Sequence, residues 1–192
     1  MQEYVNKLVS DLMQAIDGQD STMIADAAER IRRTISQDDN PPLEPLLKTN
    51  IAPTFVNFLC PENYMYDKLI FEFSWILANI ALGDGFYVQY LADLGLIPRA
   101  LNLLQHESVE IKENAIHLLT NIAGESLEYR DQLLQAGIVD IIAYVYSTYV
   151  EGSSLTFLSE LAWSLSVLSR NPPDFDQVHS AKKDLPTNKF IR

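Results

Sequence analysis

Cysteine is almost missing from this 192-residue sequence, and a lone Cys60 excludes an internal disulfide framework and a thiolate metal cluster. A reducing compartment is the easier setting for such a chain. Basic residues are scarce as well. Fourteen Lys and Arg stand against 26 Asp and Glu, a formal charge of -12, which argues against a binder of nucleic-acid phosphates and favours a basic partner. Long apolar runs are also lacking: the longest, Trp75 to Leu82, is interrupted by Asn79 and falls far short of the roughly 20 residues that span a bilayer, so no membrane is expected. The start has no basic n-region or cleavage site, so no signal peptide is expected.

Histidines number three, His106, His117 and His179, without ligand spacing, and neither a nucleophile elbow nor a phosphate-binding glycine loop is present. No metal, no cofactor and no enzymatic activity are therefore expected. Gly83-Asp84-Gly85 ends a helix rather than cradling a phosphate, because nothing before it reads as a strand. What the chain has in quantity is apolar: 47% of its residues are hydrophobic, enough for a folded domain or a short repeat array.

That apolar content is periodic. Trp75-Ile-Leu-Ala-Asn79-Ile-Ala returns as His117-Leu-Leu-Thr-Asn121-Ile-Ala, with 42 residues between the asparagines. Leu91-Ala-Asp-Leu-Gly95 returns as Leu133-Leu-Gln-Ala-Gly137, again at 42 residues. One period earlier, Leu46-Leu-Lys-Thr-Asn50 repeats the second landmark with Asn in place of Gly, the other residue that tolerates a left-handed helix cap. Leu161-Ala-Trp163-Ser-Leu-Ser-Val167 repeats the first landmark downstream, 46 residues after His117. About four units result: an incomplete or diverged first unit over 1–40, then 41–83, 84–125 and 126–171, with 172–192 as a tail or the start of a fifth.

Within a unit the spacing predicts helices. One covers Phe86 to Leu94 and is stopped by Gly95; a second covers Ile97 to Leu104 with apolar residues at 97, 101 and 104; a third runs from about Val109 to Ala123 and is stopped at Gly124. Three helices per period of about 42 residues fit the armadillo or HEAT class of all-α solenoid, in which each unit buries its apolar faces against its neighbours.

In an armadillo-type array the third helices line one groove, so a position recurring in each unit becomes a ladder. Trp75 and Asn79 are four residues apart, one turn along a helical face. The Asn amide suits the backbone of an extended peptide, and the Trp face suits a cation. Parallel Trp walls would form slots for Lys or Arg stems, with Asp84 and Glu125 as carboxylates for their heads. The competing account makes the Trp residues core packing and gives Asn79 and Asn121 bonds to a neighbouring helix.

With these residues in place, the chain resembles importin-α, the nuclear-import adaptor family also called karyopherin-α. The likeness covers most of the sequence and is carried by Pro41 to Leu59, by Phe71-Glu-Phe-Ser-Trp75-Ile-Leu-Ala-Asn79-Ile-Ala-Leu-Gly83, by Asn121 to Asp131, and by Ser169 to Pro173, which resembles the turn closing the fourth repeat of that family. It implies a right-handed armadillo superhelix of about four repeats, binding basic, lysine-rich nuclear localisation signal peptides antiparallel in the concave groove of repeats two to four. It implies also a life in cytoplasm and nucleus.

By the same resemblance Trp75 and Asn79 form the second-repeat pair, and the Gly83 carbonyl helps receive the key lysine. Asn121 holds the peptide backbone, Glu125 replaces the Asp that pairs with that lysine, and Trp163 is the fourth-repeat wall. Asn114, His117 and Glu160 complete the implied peptide-binding set.

Departures from the family accompany the match. His117 replaces a Trp, Val167 replaces an Asn, Glu160 stands where the family usually has Asn, and Val88 stands where it has a hydroxyl. The chain opens Met1-Gln-Glu-Tyr-Val without the basic segment that binds importin-β in the family, so that partner has no expected handle. It stops at Arg192, where a fifth repeat would begin, and an uncapped last repeat would allow self-association. The alternative function is therefore an armadillo scaffold for protein–protein interaction or self-association that has lost signal binding.

Overall fold

A computed structural model of the protein describes residues 1–36, 41–149 and 155–170. Eleven α-helices and one short 3-10 turn make up the regular structure among the described residues, with no strand. The chain divides into two compact units, Met1–Leu118 and Leu119–Arg192. The expected tail over 172–192, and the end of the Ser169 to Pro173 turn, lie outside the described residues.

The first unit opens with α1 (Gln2–Asp17) and α2 (Ser21–Ser36), which pack against each other. Val5, Leu8, Val9, Leu12 and Ala15 recur at helical spacing on α1 and are all buried, as are Ala25, Ala28, Ile31 and Ile35 on α2. The Asp20 carboxylate starts α2 by accepting from the Thr22 and Met23 amides at 3.0 and 3.1 Å.

Three helices then follow in a short–short–long order: α3 (Leu43–Leu47), α4 (Ala52–Phe58) and α5 (Asp67–Ile80). The order returns as α6 (Gly85–Asp93), α7 (Leu96–Leu103) and α8 (Val109–Glu125), the last of which crosses the boundary between the units. It returns once more in the second unit as α9 (Leu127–Gln135), α10 (Ile138–Tyr149) and α11 (Leu155–Leu168).

One backbone device marks each return. Asn50, Gly95 and Gly137, between the first and second helices of their trios, have φ of 57°, 79° and 81°. This left-handed conformation lets the chain reverse within a turn of two to four residues, and Asn is the non-glycine residue that adopts it most easily.

In the first unit α2 packs on α5, and α4 lies on α5 as well. Phe55 of α4 and Phe73 of α5, both fully buried, bring their rings to 4.9 Å, while Phe58 meets Phe73 edge-on at 5.1 Å. In the second unit Leu133, Ile138, Ile142 and Val145 are buried together with Phe157, Leu161, Val167 and Leu168 of α11. The Thr120 hydroxyl donates to Ser164 Oγ at 2.9 Å and thereby ties the end of α8 to α11.

Two details differ from the periodicity. On α7 the buried residues are Leu96, Ala100 and Leu103, joined by Leu104 just beyond the helix, while Ile97 and Leu101 are half-buried, so the seam lies one residue earlier than 97, 101 and 104. Gly124 does not stop α8, which continues to Glu125, because one glycine costs a helix only about 1 kcal/mol.

Asp84 is the cap of α6, its Oδ1 accepting from the Phe86 and Tyr87 amides at 3.0 and 3.3 Å. Asp84→Ala is expected to destabilise the chain by about 1 kcal/mol in chemical denaturation, with unchanged m-value.

Candidate functional site

Helix α5 carries the best-formed part of the site. Its apolar residues Ile70, Phe73, Ile76, Leu77 and Ile80 are buried, which turns Trp75 outward with 37% of its surface exposed. The core account of Trp75 therefore does not hold. Asn79, one turn on, is half-buried, and its Nδ2 donates to the Trp75 carbonyl at 3.0 Å. This intrahelical bond leaves the amide close to the surface, where an incoming backbone group can compete for it.

The indole already has a neighbour. The Arg32 guanidinium from α2 lies 5.6 Å from the Trp75 ring centre and 5.8 Å from that of Phe71, the two rings being 5.5 Å apart. Arg32 Nε donates at 2.6 Å to Glu72, a carboxylate with 3% of its surface exposed. A cation over an aromatic face and pinned by an acid is thus built into the protein beside Trp75.

Gly83 lies in the turn after α5. A Cβ there would overlap the Tyr87 ring, so any larger residue has to push that ring aside. Asn79, Gly83 and Tyr87 border an open depression of about 870 Å³, whose other walls include Ile35, Pro42 and Leu82.

Asn114 and His117 of α8 belong to the same unit. Asn114 is buried, and its Nδ2 donates at 3.4 Å both to the Phe71 carbonyl and to Ser74 Oγ, so this amide ties α8 to α5. His117 is half-buried. Asp84, expected as a carboxylate for a cation, commits one oxygen to the helix cap described above.

In the second unit Asn121 is 6% exposed, and Glu125 ends α8 exposed. Trp163 of α11 resembles Trp75 in being 38% exposed. Glu160, one turn before Trp163, is half-buried, and its carbonyl accepts from Ser164 Oγ at 2.8 Å. Val167, expected on the ladder, is instead buried, with its side chain 3.7 Å from the place a Cβ on Gly124 would occupy. Val88 of the first unit is buried likewise. An apolar residue at either position joins the core because nothing polar holds it at the surface.

The family model for the armadillo/beta-catenin-like repeat matches residues 87–124. Importin subunit alpha-1b of Oryza sativa subsp. japonica is 31% identical over 88% of this chain and 31% of its own length. Importin subunit alpha-2 of Arabidopsis thaliana is 32% identical over 84% of this chain and 30% of its own. The chain is an armadillo-repeat protein similar to importin-α.

It spans about a third of the length of these curated relatives. The importin-α likeness sits on an armadillo solenoid, as solved structures agree. A designed armadillo repeat protein in complex with the peptide (KR)4 superposes with a TM-score of 0.73 at 22% identity, covering 94% of this chain and 75% of that one. Computationally designed armadillo repeat proteins for modular peptide recognition give 0.68 at 22% identity, covering 87% of this chain and 69% of that one.

Against this importin-α frame, sequence reasoning missed Arg32 and Glu72. A signal was present: Arg32 stands 43 residues before Trp75, and Glu29 stands 43 before Glu72, so both belong to the same ladder one repeat earlier. Among the described residues no group of His, Cys, Asp and Glu is arranged to hold a metal ion, and no helix is long and apolar enough to cross a membrane. Gly83→Ala is expected to cost about 1 kcal/mol by pushing the half-buried Tyr87 ring aside, seen as a lowered thermal midpoint.

Proposed function

We propose that the chain is an importin-α-type adaptor module that binds basic, lysine-rich nuclear localisation signal peptides and acts by recognition rather than chemistry. The observation that carries this is the exposed Trp75 with Asn79 one turn away, an aromatic face for a cation beside an amide for a peptide backbone. The Arg32 guanidinium over one face of Trp75 supports it, since the indole already accommodates a cation on that side and leaves the other for a peptide. The charge of -12 adds long-range attraction for a basic peptide and makes binding salt-sensitive.

Peptide-binding roles for Gly83, Asn114, His117, Asn121, Glu125, Glu160 and Trp163 are part of the same proposal. So is operation between cytoplasm and nucleus, which the importin subunit alpha relatives suggest by name. Val167 favours a second reading. Buried in the second unit, it offers no amide at its ladder position, and a module without signal binding would serve as a scaffold for protein partners or self-association.

Titration of tryptophan fluorescence with a lysine-rich peptide, at low and at physiological salt, separates the two. Saturable binding that weakens with salt and is absent for a scrambled neutral peptide is the expected result. Equal response to both peptides would leave the scaffold.

A further inference from the structure

Arg32, Glu72 and Trp75 form one charged and aromatic group in the first unit. Arg32 occupies the place in the first repeat that Trp75 occupies in the second, 43 residues on. Instead of another aromatic wall it contributes a cation, and that cation lies over the indole of the following repeat. Arg32 is held there from below, Nε at 2.6 Å and Nη2 at 3.5 Å from the two oxygens of buried Glu72, with Glu29 at 4.0 Å.

The charges around it are matched. Arg33 pairs with Glu29 at 2.5 Å and Lys68 with Asp26 at 3.1 Å, so the acids Asp26, Glu29 and Glu72 face the bases Arg32, Arg33 and Lys68. A peptide lysine arriving at this end meets an indole face already covered and carboxylates already paired. Its ammonium would have to displace a guanidinium that is fixed by the fold and carries no association cost.

We propose that Arg32 is an internal ligand of the Trp75 wall that closes the first slot of the ladder, so that the lysine-accepting row ends there and a cation on the peptide gains nothing at that position. Arg32 is on this account a specificity-determining residue, and the claim rests on the peptide-binding proposal above. It makes one unit of the array count the peptide's basic residues from a fixed end.

The quenching measurement uses the full chain with Trp163→Phe, so that fluorescence reports Trp75 alone, whereas peptide binding is compared in chains that keep Trp163. Both compare Arg32 with the double change Arg32→Gln and Glu72→Gln, which leaves no charge buried by itself. Arg32→Lys, which keeps a charge beside Glu72, serves if the double variant does not fold, with the same direction and a smaller size.

Acrylamide quenching of Trp75 is expected to rise about twofold in the variant, one of two ring faces being uncovered. Peptides with a lysine-rich core extended at either end by Lys or by Ala supply the second readout. The variant should prefer Lys at one end by about threefold, while the parent shows no preference at that end. An unchanged quenching constant would overturn the Arg32 assignment by itself, as would a parent with the variant's preference. If no lysine-rich peptide binds the parent, the peptide-binding proposal falls and the slot-closing role falls with it, whatever the quenching shows.

Discussion

Arg32→Ala alone should lower the stability of the chain by about 3 kcal/mol. The reason is Glu72. With 3% of its surface exposed it has no access to bulk water, and its nearest opposite charge is the Arg32 guanidinium at 2.6 Å. Removing the guanidinium leaves a carboxylate in the seam between α2 and α5, where desolvation is no longer offset. The same change strips the cation from over Trp75 and Phe71.

The double change Arg32→Gln with Glu72→Gln should recover more than half of that loss, since no uncompensated charge remains. Urea unfolding of the three proteins measures this directly, with a common m-value as the check that all lose the same surface. Similar losses for the single and double changes would mean that packing of the Arg32 stem, not the charge of Glu72, carries the stability.

Trp75→Ala should weaken binding of a lysine-rich peptide about tenfold while leaving the helix content by circular dichroism unchanged. A side chain that is 37% exposed contributes less to the core than the fully buried Phe73, so the loss should fall on recognition. Asn79→Ala should act in the same direction with smaller size, because that side chain offers hydrogen bonds in competition with its present bond to the Trp75 carbonyl. Peptide affinity unaffected by either change, in a protein that still folds, would move the functional assignment to the scaffold.

The two predictions draw on parts of the chain that differ in how far sequence exposes them. The trios of helices were legible because their cause is local. A hydrophobic repeat every three to four residues specifies a helix wherever it falls, and a Gly or Asn at the same place in successive repeats specifies the left-handed reversal. Asn50 illustrates this: its substitution for glycine anticipates the φ of 57° found there. The importin-α likeness was legible for a related reason, since the motifs around Trp75, Asn79 and Asn121 recur at the repeat length.

Burial of individual side chains was less legible. The α7 seam at Leu96, Ala100 and Leu103 lies one residue before the expected one, because the helix begins directly at the Gly95 reversal and its rotation is set by that turn. Val167 stands at a ladder position by alignment and is buried in fact. Alignment equates positions along the chain, whereas exposure depends on how far each helix is rotated against its neighbours. Asn114 was assigned to peptide recognition by resemblance, and the fold engages its amide in bonds from α8 to α5.

By itself the sequence determined the all-α repeat architecture, the placing of Trp75 and Asn79 one turn apart on one helical face, and the acidic character that suits a basic partner. Each follows from short-range spacing or from composition, which a linear chain displays in full. Only the tertiary structure decided that Arg32 lies over Trp75, that Glu72 is buried beneath it, and that Val88 and Val167 belong to the core. Those facts depend on which side chains meet when helices 40 or more residues apart are packed together, and the free energy of such meetings is absent from any local pattern.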